Sequence, residues 1–317
     1  MNKKVTILGG GTGMSYLLRG LKCFPVDITA VITVSDNGRS TGKLREEFKT
    51  PAVGDIRKVI TNLSSTDPVI KDLMEYRFKT SSDLNGHSVG NLILTALLDI
   101  TGSLDASIHA LSKLLDVKHR LLPISEDSTL TLMGEAEDGT IIEGEEEITK
   151  SPQKIKKIFY KEEPTVTKEV IESIKNSDLI ILSMGSLYTS LLPNIICKEV
   201  TEALNQVKTP IMYLCNAMTQ PGETDGFKVS DHIKLINHYL VKRKIDVVIA
   251  GNTKLDEKII EKYETEETKK PVLIDKEELN KIEVELIEVD MITVVDNVIR
   301  HNSLKLSSEI FSYLMRD

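Results

Sequence analysis

Cysteine is scarce in this chain: Cys23, Cys197 and Cys215 are the three, widely separated and set in apolar or structured sequence. They form no C-x-x-C pair, which excludes the common zinc motifs and a disulfide framework, and a reducing cytoplasm is the compartment that fits such usage. Long apolar runs are missing too. None reaches the roughly 18 residues a membrane-spanning helix needs. The opening M-N-K-K-V-T-I-L-G-G carries two lysines before an apolar run that ends in glycines, so it reads as a first β-strand and not as a signal peptide. Positive charge is outnumbered, with 40 Lys+Arg against 48 Asp+Glu and a net charge of −8. Such a chain repels nucleic acid and anionic lipid overall, so neither nucleic-acid binding nor membrane insertion is expected. Any anionic ligand must be small and held by a local cationic site. No internal repeat or low-complexity tract is visible.

What is present is ordinary globular composition, 40% hydrophobic and 28% charged over 317 residues, enough for one large α/β domain or two smaller ones. Residues 4–8, 28–34, 178–183, 210–215 and 245–250 are short, β-branched and apolar on both faces, the pattern of parallel strands covered by helices. Helical periodicity appears at 14–22, 68–78, 89–99, 104–116, 167–176, 195–207, 229–242 and 304–315. The alternation predicts the mostly parallel, doubly wound sheet of an α/β protein. Residues 119–160 depart from it. There E-D-G-T sits between alternating runs, a hairpin signal, and K-I-K-K-I-F-Y alternates again. A small antiparallel β lobe inserted in a single domain spanning 1–317 is expected, with the acid run Glu145 to Glu147 on a solvated strand edge. The charge-rich stretch 252–270 reads as an exposed helix and loop.

Loops rich in glycine, hydroxyls or amides follow strands or open helices. G-G-G-T-G follows the first strand; Gly10, Gly11, Thr12 and Gly13 suit close backbone approach to a phosphate at a helix N-terminus, or a tight turn alone. The spacing is no clean G-x-G-x-x-G, and no Gly-Lys-Ser/Thr completes a Walker loop. After the second strand comes V-S-D-N-G-R-S-T-G-K-L-R. Asp36 lies 23 positions beyond Gly13, near the place of a ribose-binding acid, but Asn37, Gly38, Arg39 and Ser40 continue the loop as an anion cradle. In P-A-V-G-D-I-R-K, Asp55 is a metal ligand or a helix N-cap, and Arg57 is a fork suited to phosphate or carboxylate. Asp36 and Asp55 together could hold one Mg²⁺ beside substrate phosphate.

N-G-H-S-V-G-N-L brings His87, Ser88 and Asn91 to the start of an apolar helix, where the histidine is either a hydrogen-bonding residue or part of a site. No carboxylate adjoins it in sequence, so no triad can be assigned. S-M-G-S-L-Y-T-S-L-L-P-N offers Gly185 and Ser186 as another anion-binding helix start, with Tyr188 a donor or a packed ring and Pro193 bending or restarting the helix. C-N-A-M-T-Q-P-G-E-T-D-G supplies Asn216, Thr219 and Gln220, groups able to read a base or sugar. Arg300, in V-V-D-N-V-I-R-H, is a candidate clamp. In a doubly wound sheet the strand carboxyl ends share one edge, so these loops should converge.

G-G-G-T-G, G-D-I-R, H-S-V-G-N-L, G-S-L-Y-T-S and C-N-A-M-T-Q-P-G-E-T-D-G, in this order, resemble the YvcK-type gluconeogenesis factors of the CofD-like (2-phospho-L-lactate transferase) superfamily, nearly end to end. The resemblance implies a three-layer, Rossmann-like α/β domain with a small inserted β lobe, in a cytoplasmic bacterial protein. It implies binding of a nucleotide ligand, a UDP-sugar such as UDP-N-acetylglucosamine before a dinucleotide such as NAD, and a role in growth and cell shape on gluconeogenic carbon. Envelope or central-carbon enzymes are the partners that role suggests, and a homo-oligomer is compatible with it. The transferase branch uses Mg²⁺, and its metal-binding acids correspond to Asp36 and Asp55. Where the family has S-D-D-G-G-S-S-G this chain has S-D-N-G-R-S-T-G, losing an acid at Asn37 and gaining a base at Arg39. Both changes favour an anion over a metal. Two functions follow: a nucleotide-sugar-binding regulator, and a Mg²⁺-dependent transferase acting on a nucleotide-activated phosphometabolite. An NAD-dependent oxidoreductase is disfavoured by the glycine spacing.

Overall fold

The computed structural model describes residues 2–253, 255–295 and 298–316; the side chains of 39, 293–295, 298, 300 and 301 lie outside that description. The chain begins with β1 (Lys3–Gly9), α1 (Gly11–Leu21), β2 (Val26–Ile32), α2 (Arg39–Phe48), α3 (Gly54–Leu63), α4 (Pro68–Glu75), α5 (Val89–Thr101) and α6 (Leu104–Leu114). It continues through β3 (Arg120–Pro123), β4 (Leu132–Ala136), β5 (Ile141–Glu143), α7 (Glu145–Lys150) and β6 (Ile155–Tyr160). Next come α8 (Lys168–Lys175), β7 (Leu179–Leu182), a π-helical turn (Leu187–Leu191), α9 (Leu192–Ile195), α10 (Lys198–Gln206), β8 (Ile211–Leu214) and α11 (Val229–Leu240). The last elements are β9 (Val247–Gly251), α12 (Glu257–Glu267), α13 (Lys276–Ile282), β10 (Glu285–Val289), the hairpin β11 (Ile292–Val295) and β12 (Val298–His301), and α14 (Ser303–Leu314).

Seven strands form one sheet in the order β10-β9-β8-β7-β1-β2-β3, every neighbouring pair parallel. The all-apolar strands predicted this: β7 and β8 are buried at every position, which requires cover on both faces. One helical layer contains α1, α3 and α14, the other α8, α10 and α11. α1 buries Met14, Leu17, Leu18 and Leu21 along one stripe, the 3.6-residue spacing at work. From β1 the chain steps one way to β2 and β3; from β7 it steps the other way to β8, β9 and β10. The crevice between the carboxyl ends of β1 and β7 is therefore the switch point, where open α/β sheets bind ligands.

The small lobe is a three-stranded antiparallel sheet, β5-β4-β6, with the Glu137–Thr140 hairpin where the sequence placed it. Two expectations need correction. Residues 120–123, assigned to the lobe, form β3 at the edge of the main sheet, pairing with β2. The run Glu145 to Glu147 is not a strand edge: it opens α7, because acids are favoured in a helix's first turn and Gly144, with φ +97°, breaks the strand before it.

Candidate functional site

The N-cap of α1 is Gly10, which has no side chain to bond the first-turn N–H groups, and a helix start of this kind suits an anion. Gly13 lets this helix start press on the chain leaving β7. A Cβ there would sit 2.2 Å from the Met184 carbonyl oxygen. The β7 exit is tightly organised. Asn216, at the end of β8, clamps the Gly185 peptide, accepting from its N–H (2.9 Å) and donating Nδ2–H to its carbonyl (2.6 Å). Ser186 caps the π-helical turn by accepting from the Thr189 N–H at 3.0 Å. Its own hydroxyl donates to Glu223 at 2.7 Å, and that carboxylate also accepts from the Tyr188 N–H (3.2 Å) and Gln220 Nε2 (2.8 Å). Burial raises the Glu223 pKa, and the bonds from Ser186 and Tyr188 oppose it. Thr219 is tied to Lys270 through both its backbone and its hydroxyl. A cleft of about 780 Å³ is lined by Thr12, Ser186, Gln220, Tyr263 and Ile299.

Beside it, the β2 exit meets α3 and α7. Asp36 Oδ1 accepts from the Gly38 N–H at 2.9 Å. Its other oxygen would lie 2.7 Å from a Cβ on Gly54, so only glycine fits there. Asp55 belongs to the first turn of α3 and is not its N-cap, a position taken by Val53. The Asp55 carboxylate pairs with Lys58 Nζ at 2.9 Å. Glu145, from α7, faces both aspartates. Desolvation and then its neighbours' charge push its pKa well up, and burial followed by Asp55 raises Asp36. Burial opposes the Lys58 ammonium but is outweighed by Asp55 and Asp36, which raise it. Asn37 Oδ1 accepts from the Glu146 N–H at 2.9 Å, docking the loop on α7. Arg45 fixes the loop from behind, donating to the carbonyls of Asp36, Ser128 and Leu130. A cleft of about 380 Å³ is bounded by Asp36, Ser40, Lys58, Asn91 and Glu145.

The two segments that begin α2 and α5 meet underneath. Ser40 Oγ bonds His87 Nδ1 at 3.0 Å and accepts from Asn91 Nδ2 at 3.2 Å. Asn91 Oδ1 accepts from Arg57 Nε at 3.2 Å, and Arg57 reaches outward to Glu75. Arg57 is 1% exposed. Burial and the nearby Lys43 lower the His87 pKa.

The structure thus brings Gly10 to Gly13, Gly185, Ser186, Asn216, Thr219 and Gln220 to one crevice, and Asp36 to Ser40, Asp55, Arg57, His87 and Asn91 to the cleft beside it. Tyr188 is buried (3% exposed) and its ring packs in the core. The side chains of Arg39 and Arg300 lie outside the described residues. Sequence reasoning missed Glu145, Lys58 and Glu223. Lys58 adjoins Arg57, and Glu223 stands within the Asn216–Gly226 motif. Glu145 had no local signal, since its neighbours arrive from other elements.

Among the described residues no group of three His, Cys, Asp or Glu side chains forms a metal-ligand set. The Asp36–Asp55 pair fits Mg²⁺, which uses one or two carboxylates with substrate phosphate and water; Lys58 pairs with Asp55 beside it.

The sheet and its crevice define a Rossmann-like α/β protein with a ligand site at the switch point. The family model for 2-phospho-L-lactate transferase CofD matches residues 5–292, and the chain belongs to that family. It is 42% identical over 312 residues to the gluconeogenesis factor of Bacillus subtilis, covering 98% of each chain. It is 41% identical to the gluconeogenesis factor of Halalkalibacterium halodurans, over 97% of this chain and 95% of that one. A crystal structure of a UPF0052-family protein from Bacillus halodurans superposes with TM-score 0.93 at 40% identity, covering 98% of this chain and 99% of that one. The chain is a CofD-family protein of the gluconeogenesis-factor group. No helix among the described residues is long and apolar enough to cross a membrane.

Proposed function

We propose that this chain is a nucleotide-sugar-binding factor that supports growth and cell shape on gluconeogenic carbon, acting through cell-envelope or central-carbon enzymes. The observation that carries this reading is the uncapped start of α1 facing the β1/β7 crevice. Its N–H groups, which no N-cap side chain bonds, and its dipole favour a diphosphate. Across the adjoining cleft, Gln220 offers a polar contact and Tyr263 an aromatic face, a match for a base and a sugar such as those of UDP-N-acetylglucosamine. Titration calorimetry tests it: UDP-N-acetylglucosamine binds, UDP binds more weakly, and the free sugar does not. Absence of nucleotide binding at millimolar ligand overturns it.

One observation favours a second reading, Mg²⁺-dependent transfer from a nucleotide-activated phosphometabolite. Asp36 and Lys58 line the cleft beside the crevice, and Asp55 pairs with Lys58. Mg²⁺, when bound by these two acids, would neutralise phosphate charge. Lys58 would orient the transferring group. Unchanged turnover in Asp36→Asn would remove this role.

A further inference from the structure

A groove of about 670 Å³ runs between α1, α3 and α4, outside the crevice. Its walls carry six cations, Arg19, Lys22, Arg57, Lys58, Lys71 and Arg77, against two acids, Asp72 and Glu75. In a chain of net charge −8 this is a local reversal of sign. Arg57 and Lys58 are committed to Glu75 and Asp55. Lys22 is held in place by the Asn62 and Ser64 carbonyls, both at 2.8 Å, which leaves one of its three N–H bonds unspent. Arg19 donates to Asn62 Oδ1 at 3.0 Å and lies over the Tyr16 ring. No described residue pairs with the Lys71 ammonium. Lys22 and Lys71 line the same groove, and burial and then the Lys71 charge depress the Lys22 pKa.

We propose that this groove binds a small phosphomonoester, with its phosphate between Lys22 and Lys71 and Arg19 at the margin. Two lysines supply point charges and an anchored arginine a fork, the combination that recognises phosphate. Thr12 lines this groove and also the cleft over the crevice, so the phosphomonoester would lie next to a nucleotide bound there.

Calorimetry on the full chain tests the groove, with inorganic phosphate and glycerol 3-phosphate as probes and glycerol as the neutral control. Both phosphates bind, glycerol does not, and added salt weakens binding. Lys71→Ala lowers affinity about tenfold or more, whereas Lys71→Arg keeps it within about threefold because the charge remains. Lys71 makes no side-chain bond among the described residues, so Lys71→Ala stays folded, and its binding of UDP-N-acetylglucosamine is unchanged. Failure of both phosphates to bind at millimolar concentration overturns the proposal, as does wild-type affinity in Lys71→Ala. Loss of nucleotide-sugar binding alone would overturn only the proposed function.

Discussion

Asn37 Oδ1 accepts the Glu146 N–H at 2.9 Å, joining the loop after β2 to the first turn of a helix 109 positions away. Through this bond the small lobe delivers Glu145 to the two aspartates. An Asn→Ala change at a helix start removes a capping acceptor worth about 1 kcal/mol. Asn37→Ala should lower unfolding stability by that amount in urea titration. Asn37→Asp should hold stability within about 0.5 kcal/mol, since a carboxylate is also favoured at a helix N-terminus.

The acids give stability a pH slope. Asp36 and Glu145 ordinarily titrate at 3.8 and 4.5, and both are raised in the folded state. A folded state that holds protons more tightly than the unfolded chain loses stability as pH rises. Their contribution is complete below those ordinary values and is lost as pH climbs through the raised ones. The double variant Asp36→Asn, Glu145→Gln should show a flatter stability curve across that window, measured by urea midpoints at successive pH values.

Lys58 holds the cluster together above that window. Lys58→Met leaves Asp55, 6% exposed, without its cation and beside two other acids. A loss of about 1–3 kcal/mol at neutral pH is expected, because an uncompensated buried carboxylate is costly. Adding Asp55→Asn should restore most of it. An unrecovered double variant would remove the ion pair as the cause.

Glu223 orders the wall of the crevice by accepting from Ser186, Tyr188 and Gln220. In Glu223→Gln one acceptor oxygen becomes a donor and must face another donor. Nucleotide-sugar affinity should fall about tenfold, with a fall in stability of about 1–2 kcal/mol. Calorimetry and thermal melting separate the two effects.

Gly13→Ala should be severe. Its new methyl would meet the Met184 carbonyl oxygen at 2.2 Å, and backbone on both sides cannot yield as a flexible side chain would. Overpacking of this kind costs about 1–3 kcal/mol or more, and both thermal stability and ligand binding should drop.

Much of this was legible in the chain. Strands such as Leu179–Leu182 are apolar on both faces and short, which leaves few solutions besides a covered parallel sheet. The glycine- or amide-rich loops after β1, β2, β7 and β8 lie directly behind such strands, so their meeting at one edge followed from the fold class alone, whereas the loops that open α3 and α5 follow helices. β3, with R-L-L-P, and β10, with E-L-I-E-V, were harder to read, because edge strands are half covered and their pattern is mixed.

Side-chain commitments were decided by tertiary structure. Asn37 and Asn216 carry the same amide, yet one caps α7 and the other clamps a peptide at Gly185. The residues they meet lie 109 and 31 positions away. Glu145 has two acidic neighbours in sequence and stands in solvated-looking context, but the lobe's fold turns it onto Asp36 and Asp55. Residue type and local period determined the sheet, the helices and the loops that could bind an anion. Which carboxylates share one low-dielectric space, and which amides remain to meet a ligand, depends on contacts between distant segments, and only the folded chain makes those.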